Sequence, residues 1–461
     1  MTDRMSAGSI DGSLIRRGDA EYERARADAV WNGLKPGRFP AEIVVAATED
    51  DVPRALARAR AQDLRVSVRS GGHNWSGTQL RDDALLLDLS RLNRCVVDPG
   101  SGTAHVGPAV TGRVLASALE PHGLALPFGH CSTVALGGFL LSGGLGWNSR
   151  AWGPACSYVE EVEAVTADGS RVVCNERENP DLFWAARGAG PGFFAVATRF
   201  RLRFRPHPGA IVTTSFTFPL PETERVAAWA VPTARALPPS VETSFVLSAR
   251  EPAAATPSGP APGLTLTSTV FARSAQEGAD VLAPVTGCPF ADRAVTHRPP
   301  EPTSYVALHQ GADGKWPGEQ RYAVDTLWSP EPYETQLARA ARAIAEAPSG
   351  DSLVLVPFEP VGPGPQGGGD AMAFSPLGES YLAAFAIWDD PAQDEACTRW
   401  LRRSMDAFDP RGTGSHYIAE ADLAAGTSRS RRSYAPAGWE RLKRLKAHWD
   451  PANLFHSYLV P

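Results

Sequence analysis

Two glycine-rich segments carry the side chains best placed for chemistry. The first, Arg69-Ser70-Gly71-Gly72-His73-Asn74-Trp75, follows a short apolar–polar alternation that ends at Val68. Paired glycines after a strand allow positive φ and close backbone approach, and their N–H groups can cradle a pyrophosphate. The second runs from Phe128 to Gly146. It holds Gly129-His130-Cys131-Ser132-Thr133-Val134, the pairs Gly137-Gly138 and Gly143-Gly144, and Gly146. That spacing suits neither a stable helix nor a long strand; it suits a backbone laid against a flat, phosphate-bearing ligand. Taken singly, each segment also has a plainer reading: a tight turn exposing His73, and a packing turn with Cys131 as a small buried hydrophobe. Neither is a dinucleotide-binding fingerprint, because no Gly-x-Gly-x-x-Gly follows a first strand with an acid about 20 residues on.

The elements that must hold these segments follow from periodicity. AEIVVAAT reads as a strand, EDDVPRALARARAQ as a helix with acids at its start and arginines towards its end, and RVSVRS as a half-buried strand. ALLLDLSRL, CVVDPGSGTAHVGPAV and SRVVCNE predict further short strands, and VTGRVLASALEPHG a helix closed by glycine. From about Phe204 the character changes. TSFTFPL, TSFVLSA, LTLTSTVFA, SLVLVPFE and YLAAFAIW read as strands, separated by helices such as TERVAAWAVPTARAL, AQEGADVLAPV and YETQLARAARAIAEA. The expected class is α+β, with a single antiparallel sheet backed by helices in the region after Phe204. EPAAATPSGPAPG, from Glu251 to Gly263, is expected to be an exposed loop. GWERLKRLKAHWDPANLFH is expected to close the chain as a basic helix stopped at Pro451.

Composition narrows the function. The chain has 461 residues, long enough for two or three domains, with 43% hydrophobic and 21% charged residues. Lys+Arg 45 against Asp+Glu 51 leaves no basic footprint, which argues against a nucleic-acid partner. No window approaches the roughly 20 apolar residues of a spanning helix. The N-terminus carries acids and no apolar run, so it does not read as a signal peptide, and a cytoplasmic location is expected. The six cysteines form no Cys-x-x-Cys pair, so no metal site is expected and free thiols are the default.

Together the two glycine-rich segments are far more specific than either alone. RSGGH followed by GHCSTVALGGFLLSGGLGWNSRAWG resembles the vanillyl-alcohol oxidase/p-cresol methylhydroxylase superfamily, and within it the berberine-bridge-enzyme-like group of FAD-linked oxidases. NPDLFWAARGAGPGFFAVATRF and the C-terminal WDPANLFH resemble further stretches of that family. The resemblance spans Ala41 to Phe204 and the last 50 or so residues, and is weak between. It implies a p-cresol-methylhydroxylase-type FAD-binding domain over residues 1–205, with 415–461 returning to it, and a substrate-binding domain over 206–414.

The resemblance also implies chemistry. His73 stands where the family's histidine joins the flavin 8α-methyl carbon. Cys131 stands where berberine-bridge-like members add a thioether to flavin C6, although Ala135 replaces the glycine of that motif. Imidazole and thiolate are suitable nucleophiles for both bonds. Arg69, Ser70, Gly71, Gly72, Asn74, Gly137, Gly138, Gly143, Gly144 and Gly146 are the other expected cofactor contacts. Tyr417 matches the family's C-terminal tyrosine and is expected to be the catalytic base, with Glu359 a second base or its partner. Phe193 stands where the family commonly has Asn, and Ala419 likewise replaces the usual Asn. Dioxygen is the expected electron acceptor, hydrogen peroxide the product, and the substrate a small metabolite in an oxidative tailoring step of bacterial secondary metabolism. Two alternatives remain. One is a carbohydrate oxidase, for which Trp75, Trp147 and Trp152 offer stacking surfaces; the other is a flavin-holding drug-binding protein without turnover. Oligomeric state is not legible.

Overall fold

The computed structural model describes residues 9–256, 259–358, 361–362, 364–365 and 369–459. The N-terminal region holds a four-stranded and a five-stranded sheet, with a short pairing of Leu124–Ala125 and Arg205–Pro206 beside them. The four-stranded sheet runs in the order Ser13–Arg16, Glu42–Val45, Leu85–Asp88, Val66–Arg69, the last three strands mutually parallel. The helix Asp51–Ala61 makes the crossover and buries Val52, Ala55, Leu56 and Ala59 against that sheet. The five-stranded antiparallel sheet runs Cys95–Asp98, Thr103–Val106, Val196–Arg203, Val159–Val165, Arg171–Cys174. The C-terminus returns here. The Val66 amide donates to Leu454 O at 2.7 Å, and the His456 amide to Val66 O at 2.8 Å, so Phe455 lies parallel to the strand that leads into the first glycine pair.

The middle region is a seven-stranded antiparallel sheet in the order Thr296–Thr303, Ala210–Pro219, Gly259–Ala272, Val241–Thr256, Leu353–Phe358, Ser380–Trp388, Arg321–Ser329. Strand alternation sorts its side chains into two sets. Phe245, Leu247, Leu264, Leu266, Val354, Val356, Leu382 and Ala384 face the helices Thr223–Ala236, Tyr333–Ala345 and Asp394–Phe408. Ser244, Val246, Thr267, Thr269, Leu355, Pro357, Tyr381, Ala383 and Phe385 face a cavity on the other side. Because both faces are covered, Ser380–Trp388 is buried along its whole length, which explains why its sequence lacks polar alternation.

The Pro-rich stretch departs from expectation. The strands Val241–Thr256 and Gly259–Ala272 continue through it, pairing Glu251 with Ala261 and Thr256 with Gly259 across register shifts. Proline removes only one ladder donor, so a two-stranded extension beyond the sheet body tolerates it where a central strand would not. The strands Thr296–Thr303 and Arg321–Ser329 and the helices Tyr305–Lys315 and Asp394–Phe408 lay in the stretches where the sequence was least informative.

Candidate active site

A cavity of about 670 Å³ lies between the N-terminal and middle regions, within the range of small-molecule and cofactor pockets. Both glycine-rich segments line it. Arg69, Ser70, Gly71, Gly72, His73 and Asn74 come from the turn after Val66–Arg69, and Cys131, Gly137 and Gly138 from the second segment. The sequence-expected contacts therefore converge, with three exceptions. Gly143, Gly144 and Gly146 do not line the cavity. A Cβ on Gly143, at φ +105°, would lie 2.3 Å from the Phe374 ring, and one on Gly146 would lie 2.3 Å from Phe128 O. These glycines are needed for close packing behind the wall.

Gly138 is the opposite case. A Cβ there would meet only Ser70 Oγ within 4 Å, at 3.9 Å, and otherwise points into open space. Gly138→Leu is therefore expected to fold but to carry little FAD, read as the ratio of flavin to protein absorbance after purification. Gly137→Leu should also destabilise the fold, because a Cβ there lies 2.8 Å from Pro108 Cβ.

His73 is held from two sides. Its ring stacks on Trp31, with centroids 4.6 Å apart and planes at 23°, and its Nε2 lies 3.0 Å from Thr133 Oγ1. Burial lowers its pKa to about 4, aided by the Arg69 charge and opposed by Asp313. At neutral pH the imidazole is uncharged, the form able to act as nucleophile. Cys131 is half-buried, and burial, with the charges of Asp313 and Glu420, pushes its thiol up to about 12.

Tyr417 lies in a turn and not on a strand. Its Oη accepts hydrogen bonds from the Gly144 and Leu145 amides at 3.1 and 3.2 Å. Burial raises its pKa above the usual tyrosine value despite those donors, so it is a poor proton acceptor at neutral pH. Its bonds instead tie the Gly144–Leu145 backbone to the C-terminal segment. Glu359 lies outside the described residues.

The same turn brings in a carboxylate that was not among the expected site residues. The Glu420 amide bonds Tyr417 O at 3.0 Å, and its side chain lines the cavity. Tyr381 Oη donates to Glu420 Oε2 over a long 3.3 Å, and the Trp75 indole N–H also donates to the carboxylate. Burial outweighs both donors and raises the Glu420 pKa to about 7. The signal lay in HYIAEADL: in a turn, unlike a strand, the third residue after Tyr417 can share its side of the chain.

A buried network fixes that turn. Asp325 accepts from the Thr326 amide at 2.9 Å and the Asp422 amide at 3.2 Å, and pairs with Arg429 at 2.8 Å and His416 at 3.2 Å. Arg150 is structural: its guanidinium donates to Val241 O and Leu237 O, each at 3.0 Å. Trp75 and Trp147 line the cavity, whereas Trp152 packs away from it near Phe271.

The wall fits a flat, anionic cofactor. Arg69 Nε, Arg81 Nε, Trp147 Nε1 and Trp316 Nε1 are buried donors without a hydrogen-bond acceptor among the described residues, and all four residues line the cavity. Buried donors of this kind call for a bound acceptor.

Comparisons with known proteins agree. The family described as FAD binding domain matches residues 40–175. FAD-linked oxidoreductase ptmO of Penicillium ochrochloron is 32% identical over 440 residues, covering 94% of this chain and 93% of that protein. This chain belongs to the FAD-linked oxidoreductases. It is an enzyme, and its fold is shared with berberine bridge enzyme from Eschscholzia californica, at TM-score 0.82 and 20% identity over 98% of this chain and 96% of that one. (R)-6-hydroxynicotine oxidase of Paenarthrobacter nicotinovorans is 35% identical over 188 residues, 41% of this chain and 40% of that protein. The fold is shared with 6-hydroxy-D-nicotine oxidase from Arthrobacter nicotinovorans, at TM-score 0.83 and 21% identity over 99% of this chain and 98% of that one. It is shared too with glucooligosaccharide oxidase from Acremonium strictum, at TM-score 0.82 and 19% identity over 97% and 96%.

Proposed function

We propose that this FAD-linked oxidoreductase is an oxidase holding FAD through His73 and Cys131 and removing hydride from a metabolite alcohol, amine or activated C–H carbon. FAD, when bound, would accept the hydride and pass the electron pair to dioxygen, yielding hydrogen peroxide. The observation that carries the reading is Glu420. It lines the same cavity as His73 and Cys131, with a pKa near neutrality. A base of this kind takes the hydroxyl or amine proton as hydride departs, and a pKa near the working pH suits that role. Tyr381 and Trp75 orient the carboxylate, and Tyr417 holds the backbone beside it.

Two linkages are supported by the placement of both nucleophiles on one cavity. The structurally similar glucooligosaccharide oxidase carries a 6-S-cysteinyl, 8α-N1-histidyl FAD. Near Glu420 the wall is aromatic: Trp75 and Trp316 flank Phe385 with centroids 5.8 and 5.4 Å from its ring. That surface can stack a planar donor or the apolar face of a sugar ring, so the panel of candidate substrates includes simple sugars. The test is anaerobic bleaching of the flavin by a panel of metabolites, followed by admission of dioxygen. Reoxidation should need no partner protein and should release peroxide in proportion to substrate consumed. Reoxidation only by an added acceptor would make the enzyme a dehydrogenase.

A further inference from the structure

The helix Tyr305–Lys315 belongs to the middle region of the chain, yet it grips the turn that carries Cys131. Asp313 accepts two hydrogen bonds from Ser132: the amide to Oδ1 at 3.0 Å and the hydroxyl to Oδ2 at 2.6 Å. One turn earlier on the same helix, the buried His309 holds its Nε2 3.1 Å from Gly129 O. The segment from Gly129 to Ser132 is thus fastened at both ends to one helix, with Cys131 between the fastened residues. A carboxylate taking two donors from one residue fixes orientation as well as distance. Gly129 and Ser132 lie outside any strand or helix; the Arg113 amide reaches Ser132 O at 3.2 Å and the Val134 amide Cys131 O at 3.4 Å, but neither engages the Ser132 amide or hydroxyl that Asp313 holds.

We infer that Asp313, assisted by His309, is a positioning residue for flavin attachment: it aims the Cys131 thiol at the flavin ring. The inference rests on the proposed cysteinyl linkage. In that step the Cys131 sulfur bonds to flavin C6. The thiol hydrogen and the ring hydrogen leave with two electrons to dioxygen, which becomes hydrogen peroxide, so one thiol, one flavin and one dioxygen give one thioether and one peroxide. A thiol that is almost wholly protonated at neutral pH reacts slowly unless it is held in line with its target. Asp313 is distant in sequence from Cys131, so the second bond requires the middle region to be docked on the FAD-binding region. The histidyl bond does not, since His73 is held by Trp31 and Thr133 from the N-terminal region.

The test uses full-length holoenzyme purified as wild type, Asp313→Ala, Asp313→Asn and Ser132→Ala, with the peptides bearing His73 and Cys131 weighed after denaturation and proteolysis. In Asp313→Ala the flavin-bearing fraction of the Cys131 peptide should fall about tenfold or more, as expected when a reacting group is misplaced, while the His73 peptide stays fully flavinylated. Asp313→Asn and Ser132→Ala each keep the amide bond and should give intermediate yields, a graded rescue that general loss of folding would not produce. Equal loss of both linkages, or a fully modified Cys131 in Asp313→Ala, would overturn the inference. An unmodified Cys131 in wild type would instead overturn the proposed linkage. The clamp is then read by hydrogen exchange of the Ser132 amide in Cys131→Ala protein, with and without Asp313→Ala. Faster exchange in the double variant supports the clamp, and unchanged exchange contradicts it.

Discussion

Glu420→Gln is expected to lower kcat by about 10²- to 10⁴-fold, the usual range for losing a positioned acid–base group, while flavin attachment is unchanged. The substitution keeps the shape of the side chain and an oxygen that accepts hydrogen bonds, so the loss isolates its proton affinity. The pH dependence gives the sign. Glu420 has a pKa raised to about 7 by burial, so it is protonated and inactive as a base at pH 5 and ionised at pH 9. For wild type, kcat/KM should therefore rise with pH through about 7 and level off above it. In Glu420→Gln that limb should vanish. Tyr417→Phe removes only the acceptor for the Gly144 and Leu145 amides. It should cost less in kcat than Glu420→Gln and should keep the limb near pH 7. A larger loss in Tyr417→Phe, with the limb abolished, would return the base to the tyrosine.

The second large effect concerns the flavin. His73→Ala is expected to retain flavin through Cys131 alone, and Cys131→Ala through His73 alone. The double variant should release all of its FAD on acid precipitation, read as yellow colour passing from pellet to supernatant. Neutral His73 is the nucleophile available at physiological pH, whereas Cys131 must lose a proton that its buried, acid-flanked site holds tightly. Cys131→Ala should therefore flavinylate at the wild-type rate when apo-protein is given FAD, and His73→Ala should do so slowly.

How much of this was legible in the sequence differs from element to element. The two glycine-rich segments were readable because the chemistry leaves few other choices: at Gly138 the cavity begins where a Cβ would stand. Strands such as Val66–Arg69 and helices such as Tyr333–Ala345 were readable because one periodicity dominates each. The helix Tyr305–Lys315 was not. Its sequence YVALHQGADGK turns His309 and Asp313 towards the FAD-binding region and has two glycines inside, so no apolar stripe marks it. Nor was Thr296–Thr303, where three prolines on an edge strand mimic a loop. At the site, Glu420 was hidden because its neighbour Tyr417 matched a known pattern. The turn, held by Asp325 through contacts distant in sequence, brings Glu420 to the cavity wall beside Tyr417.

The central claim, that the two segments grip one flavin through His73 and Cys131, is tested most directly by mass spectrometry of the denatured, proteolysed wild-type enzyme. The expected result is a single species in which the peptide containing His73 and the peptide containing Cys131 are joined through one FAD. Both peptides recovered at their unmodified masses would contradict it.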